Sequence, residues 1–214
     1  MFSHNFIYIL DLIGCIACAA AAASLAKKVG LDFLGAIMIA AIGAIGGGTC
    51  RDLLINRHPL FWLIDLNYLI VVSITAITVQ IFYYQVEKFF ARPLVFFDAI
   101  GLAAFAVIGF EAALSKGFAY PIVVLMGVIT AVNGGIMRDI VCRQIPLVLR
   151  EEIYITCAIC GGIVFLVLLK LNCEIWLRDT VSLSVTFLLR LLAIKKKWNL
   201  PSITIGEKKH LENQ

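Results

Sequence analysis

The sequence predicts an all-α membrane protein with seven transmembrane helices, built as two inverted three-helix repeats followed by a seventh helix. Three observations carry that prediction. Of the 214 residues, 62% are hydrophobic and only 15% are charged, against roughly 45–50% and about 25% in a soluble domain. The apolar residues fall in seven runs, most of them near the ~20 residues that a helix needs to cross a bilayer. The first part of the chain also recurs after 87 residues.

In chain order the runs are 6–26, 31–50, 66–84, 93–113, 120–133, 153–171 and 176–194. No Lys or Arg precedes the first, so it lacks the basic start of a cleaved signal and reads as a mature helix. Residues 6–85 make the first repeat, 93–171 the second and 176–194 the seventh helix. A polar, basic tail over 195–214 carries Lys195, Lys196 and Lys197.

Comparing 11–63 with 98–150, without gaps, matches 15 of 53 positions. Asp11 falls on Asp98, Gly14 on Gly101 and Gly30 on Gly117. Gly47-Gly48 falls on Gly134-Gly135, Arg51-Asp52 on Arg138-Asp139, and Pro59-Leu60 on Pro146-Leu147. Apolar bias cannot generate matched Asp, Arg and Pro, so the period marks a duplication. Each unit holds three spans, an odd number, and the second copy therefore enters the bilayer from the opposite side.

The net charge of +4 sits in short gaps between apolar runs, without interleaved aromatics. It reads as topology-setting loop charge facing lipid rather than a nucleic-acid surface. With the N-terminus outside, the inner loops hold Lys27, Lys28, Lys88, Arg92, Arg143, Arg150 and the Lys195–Lys197 cluster. The outer loops hold Arg57, Lys116, Lys170 and Arg178. The bias predicts a multi-pass protein of the cytoplasmic (inner) membrane, N-terminus out and C-terminus in. Seven cysteines include two Cys-x-x-Cys pairs, Cys15/Cys18 and Cys157/Cys160, inside apolar runs; they read as small packing residues.

Gly46-Gly47-Gly48 lies where the second run should still be inside the membrane, and Asn133-Gly134-Gly135 repeats the arrangement in the fifth. Each glycine costs a helix about 1 kcal/mol relative to Ala. Paired breaks of this kind would bring freed backbone carbonyls together near the midplane, where they could ligate a monovalent cation at Gly46, Gly47 and Gly134. Thr49 and Thr130 stand beside them. The alternative is close helix packing through small residues. Arg51-Asp52 and Arg138-Asp139 follow within four residues. Neighbours on a helix point about 100° apart, so each charge is expected to pair elsewhere, either beside a permeation path or in a salt-bridged hinge. Asp11 and Asp98, read as one turn into their helices, would either favour the helix dipole or accept a bond from an Arg of the other repeat. Glu111, matched to Ser24, is a lesser candidate.

The doubled Asp-x-x-Gly and Gly-Gly-x-x-Arg-Asp within three-helix units resemble the prokaryotic members of the TRIC (trimeric intracellular cation) channel family, also described as a glycine-transporter-like domain. The resemblance covers roughly residues 6–194. It implies a homotrimer with a potassium-permeable pore inside each subunit, running between second and fifth helices kinked at Gly46, Gly47, Gly48 and at Asn133, Gly134, Gly135. Two departures stand out: the second copy reads Asn-Gly-Gly, and the Lys-Glu-Val triplet of animal members is absent.

The expectation is therefore a passive monovalent-cation channel, with potassium or sodium as permeant ion and no cofactor. Arg51, Asp52, Arg138, Asp139, Asp11 and Asp98 would supply its charge and gating. The rival is a secondary transporter of a small solute such as glycine. No nucleophile–base pair, P-loop or metal-ligand cluster is apparent, and the sequence does not read as an enzyme.

Overall fold

A computed structural model describes residues 2–89, 93–150, 153–196 and 198. Arg92 and Lys197, which entered the charge bias, and the tail from residue 199 lie outside the described residues. The first half runs α1 (Phe2–Lys28), α2 (Phe33–Leu54), α3 (Phe61–Ile64), α4 (Asn67–Ile81) and α5 (Tyr83–Phe89). The second runs α6 (Pro93–Ser115), α7 (Tyr120–Val141), α8 (Leu147–Arg150) and α9 (Ile155–Lys170), and α10 (Ile175–Lys196) follows. Long, long, short, long is thus repeated, with α10 unmatched.

The helix ends repeat as well. Gly30 and Gly117 close α1 and α6 with positive φ (79° and 74°), and behind them Leu31 N donates to Ala26 O and Phe118 N to Ala113 O. Only glycine adopts this left-handed backbone without a Cβ penalty. Past the ends of α2 and α7 the left-handed residues are Asn56 and Arg143 (φ 52° and 54°). The fold kept this turn although the side chain changed.

α1, α2, α6 and α7 are each long and apolar enough to cross a membrane. The third run, expected to continue to Tyr84, instead ends at Ile81, and α5 leaves α4 at 83°; together the two pass the same test as one broken span. α9 has 16 residues. α10 has 22 residues and carries Arg178, Asp179 and Arg190 on a buried face, which lowers its hydropathy without presenting charge to lipid.

Two helix pairs relate the halves. α1 packs on α6, where a Cβ on Gly14 would meet the Phe105 ring at 2.8 Å and Cys18 Sγ occupies the space beside Gly101. α2 packs on α7 through Gly43, Gly47 and Gly134. α6 is the axis of the bundle, buried at every residue from Gly101 to Phe110. The outside is apolar, with Leu34, Met38, Ile70 and Ile74 all more than half exposed, while Arg51, Asp52, Arg138 and Asp139 are buried. That inversion is the pattern of a protein solvated by lipid.

The expected breaks are absent. α2 continues four residues past Cys50 and α7 eight past Asn133, both as unbroken α-helix through the glycines. The reason lies between the helices. A Cβ on Gly47 would fall on the Thr130 carbonyl oxygen, and one on Gly134 on that of Gly43. The missing side chains let two backbones touch, and that contact offsets the helix cost of glycine.

Candidate functional site

The last turns of α2 and α7 present the two Arg-Asp pairs. The neighbours do pair with each other, contrary to expectation: Arg51 Nε donates to Asp52 Oδ1 at 2.9 Å and Arg138 Nε to Asp139 Oδ1 at 2.8 Å. A guanidinium on a long stem folds back far enough to overcome the 100° between adjacent side chains. The second carboxylate oxygen secures the next element. Asp52 Oδ2 accepts from Phe61 N at 3.4 Å and Asp139 Oδ2 from Leu147 N at 2.9 Å, the first residues of α3 and α8.

Asp11 and Asp98 lie deeper than one turn, since α1 begins at Phe2 and α6 at Pro93, beyond the reach of a helix N-terminus. A tyrosine holds each. Tyr68 donates to Asp11 Oδ2 at 2.9 Å and Tyr154 to Asp98 Oδ2 at 2.5 Å. Sequence comparison missed these tyrosines for a definite reason. Phe61 answers to Leu147 and Tyr68 to Tyr154 at an offset of 86, one less than the offset upstream. A one-residue gap after the Arg-Asp pair would have aligned them.

Beyond this the halves part. Arg138 Nη1 donates to Asp98 Oδ1 at 3.1 Å, tying Asp98, Arg138, Asp139 and Tyr154 into one buried cluster. The pairing lies within the second repeat, not with an Arg of the other repeat, which the sequence had offered beside the helix-dipole reading. The space around Arg138, Gly135, Leu147 and Tyr154 leaves no room for a water molecule. In the first repeat no ion pair joins Arg51 to Asp11 among the described residues, and the guanidinium lies 5.6 Å from the centre of the Phe61 ring. Arg51 and Asp11 open instead on a cavity of about 500 Å³. Its charged lining is Asp11, Asp65 and Glu111 against Arg51, Arg57 and Lys116, with Tyr8 and Tyr68 between them.

Between the open and sealed ends lies the glycine seam. Gly46 faces Met137 Sδ and the Gly134 backbone, Gly48 faces the Phe61 ring, and Gly135 looks toward Asp98 and Arg138. Asn133, matched to Gly46, is half-buried. The hydroxyls are occupied: Thr130 Oγ1 donates to Met126 O at 2.6 Å, and Thr49 Oγ1 donates to Ile45 O while accepting from Trp62 Nε1 at 3.0 Å. With both helices intact, the carbonyls at Gly46, Gly47 and Gly134 are not released by a break.

A third Arg-Asp pair sits on α10. Arg178, counted as loop charge from sequence, is 4% exposed. It bonds Glu111 and, at 3.2 Å, Asp179 Oδ1, with its guanidinium 4.4 Å from the centre of the Phe165 ring. Ser182 Oγ donates to Gly161 O at 2.8 Å, and Arg190 Nη1 donates to Ile153 O while lying over the Tyr154 ring. The signal was polar residues recurring along one face of an otherwise apolar helix.

Comparison with known proteins matches the Glycine transporter family model twice, at residues 8–84 and 95–170. The chain belongs to this family. Its first copy runs from within α1 through α4 to the start of α5, and its second spans α6–α9. Relatives in the family include a UPF0126 membrane protein of Vibrio cholerae, 37% identical over 94% of this chain and 84% of its own length. Another is the UPF0126 inner membrane protein YadS of Escherichia coli, 36% identical over 94% and 98%. Among solved structures, a TRIC trimeric intracellular cation channel orthologue from Rhodobacter sphaeroides superposes with a TM-score of 0.85 at 32% identity, covering 91% of this chain and all of that one. A prokaryotic TRIC channel crystallised in 0.5 M KCl gives 0.86 at 31% identity over 92% and 100%. The family member described here thus has the TRIC fold, and with it the inverted repeats and seventh helix.

Proposed function

We propose that the protein is a passive monovalent-cation channel, permeable to potassium, with one conduction path inside each subunit of a homotrimer. The path runs between α2 and α7. It enters at the cavity above Arg51, meets the glycine seam where Gly43, Gly47, Thr130 and Gly134 touch, and leaves past the Asp98–Arg138–Tyr154 cluster. The observation that carries this reading is the pair of duplicated charge clusters bracketing the seam, one open to a cavity and one sealed. Buried Arg at membrane depth costs at least about 2.5–3.5 kcal/mol on insertion scales, and a charged passage accounts for keeping two of them at matched depth. Similarity to TRIC channels over most of the chain supports the same reading. The described state is closed, and conduction requires α2 and α7 to separate at Gly46, Gly47, Gly48 and at Asn133, Gly134, Gly135. The loop charges favour the cavity facing outside, with the N-terminus out and the C-terminus in.

Purified protein in planar bilayers should give unitary cation currents that do not saturate like a carrier. Absence of unitary currents together with saturable, concentration-driven uptake would sink the channel reading. One observation favours a transporter as second reading: three acidic and three basic side chains line the cavity, a balance suited to a zwitterion. Counterflow of labelled glycine into loaded vesicles separates the two.

A further inference from the structure

We propose that Glu111 tunes the cation preference of the cavity and that Arg178 of α10, from outside the cavity, sets its effective charge. The proposal rests on the channel reading above. Lining carboxylates and cations are equal in number, so the field at the mouth turns on single charges. Asp11 is held by the Tyr68 hydroxyl, and Asp65 by the Tyr8 hydroxyl and Asn67 N. Those partners are neutral. Glu111 differs in being held by a guanidinium, and Arg178 is buried behind it, divided between Glu111 and Asp179 and packed on Phe165. One cation serving two carboxylates leaves that group with net negative charge. The matched position at the sealed end is Ser24, whose hydroxyl is spent on Ala20 O. The arrangement therefore belongs to the open end alone, and it gives the unmatched helix a function in the path that it does not line.

The test is conductance and reversal potential of the full-length protein in bilayers across a salt series. Glu111→Gln should lower conductance and the potassium-over-chloride permeability ratio about two-fold at ~10 mM salt and match the parent at ~1 M, because a unit charge several ångströms from the path acts only while unscreened. Arg178→Gln, which removes the cation, should shift both readouts the opposite way, and pairing it with Glu111→Gln, which restores the net charge of the group, should return both to the parent. Arg178→Lys, which keeps the charge, should track the parent; it serves if the paired variant does not assemble. Indistinguishable Glu111→Gln currents at low salt, or a difference that persists at high salt, would overturn the proposal while leaving the channel reading standing. A parent protein without currents removes both.

Discussion

At the scale of single residues, the two halves use the same atoms in different company. Asp98 accepts from Tyr154 and Arg138 in a space without room for water, whereas Asp11 accepts from Tyr68 beside an open cavity. Removing a partner from a dry site leaves a carboxylate oxygen unsatisfied, at about 1–3 kcal/mol; beside a cavity, water takes the vacated place. Tyr154→Phe should therefore lower thermal stability in detergent clearly, and Tyr68→Phe only slightly. Equal losses would mean that both ends are equally dry. Arg138→Ala should cost more than either, about 3–5 kcal/mol, because it strands Asp98 and Asp139 together. Arg51→Ala, with a single carboxylate partner near open space, should cost less. The same unfolding midpoints report all four.

At the scale of elements, the α2–α7 seam distinguishes glycines that look alike in sequence. An Ala at Gly47 would drive its methyl into the Thr130 carbonyl, a rigid obstacle, whereas at Gly46 it would meet the Met137 sulfur at 3.2 Å, the end of a flexible chain. Gly47→Ala should destabilise by about 1–3 kcal/mol through overpacking, and Gly46→Ala should be nearly neutral; a reversed order in unfolding experiments would refute this placement of the seam. The sequence displayed the glycine clusters and offered both break and packing as readings. The matched clusters pointed to the break, and packing prevailed because the gain from backbone contact, which depends on Gly43 and Thr130 arriving from opposite repeats, offsets the helix cost of the glycines. The order of the long helices was legible because apolar runs and matched Asp, Arg and Pro are local signals, whereas the short α3, α5 and α8 are too brief to make an apolar run of their own. The tyrosines were hidden by a single gap, and Arg178 by its place near a helix start.

For the whole molecule, orientation is the remaining large-scale quantity, and charge in the loops predicts it. Lys116 stands at the cavity rim. In a variant whose native cysteines are replaced, Lys116→Cys should react with an impermeant thiol reagent added to intact cells, and a cysteine at Arg143 should react only after permeabilisation. The opposite pattern would invert the assigned topology. The molecule also keeps its charges inside and its aliphatic side chains outside, so detergent must replace lipid around Leu34, Met38, Ile70 and Ile74 for any of these measurements.

The link between α2 and α3 spans residues 55–60, while its counterpart between α7 and α8 spans 142–146. One residue is roughly 3.3–3.6 Å of reach. The first repeat thus has one residue more slack between its Arg-Asp pair and the helix that follows than the second. Shortening 55–60 by one residue, for instance at His58, should draw α3 inward and make the entrance resemble the exit, and lengthening 142–146 should do the reverse.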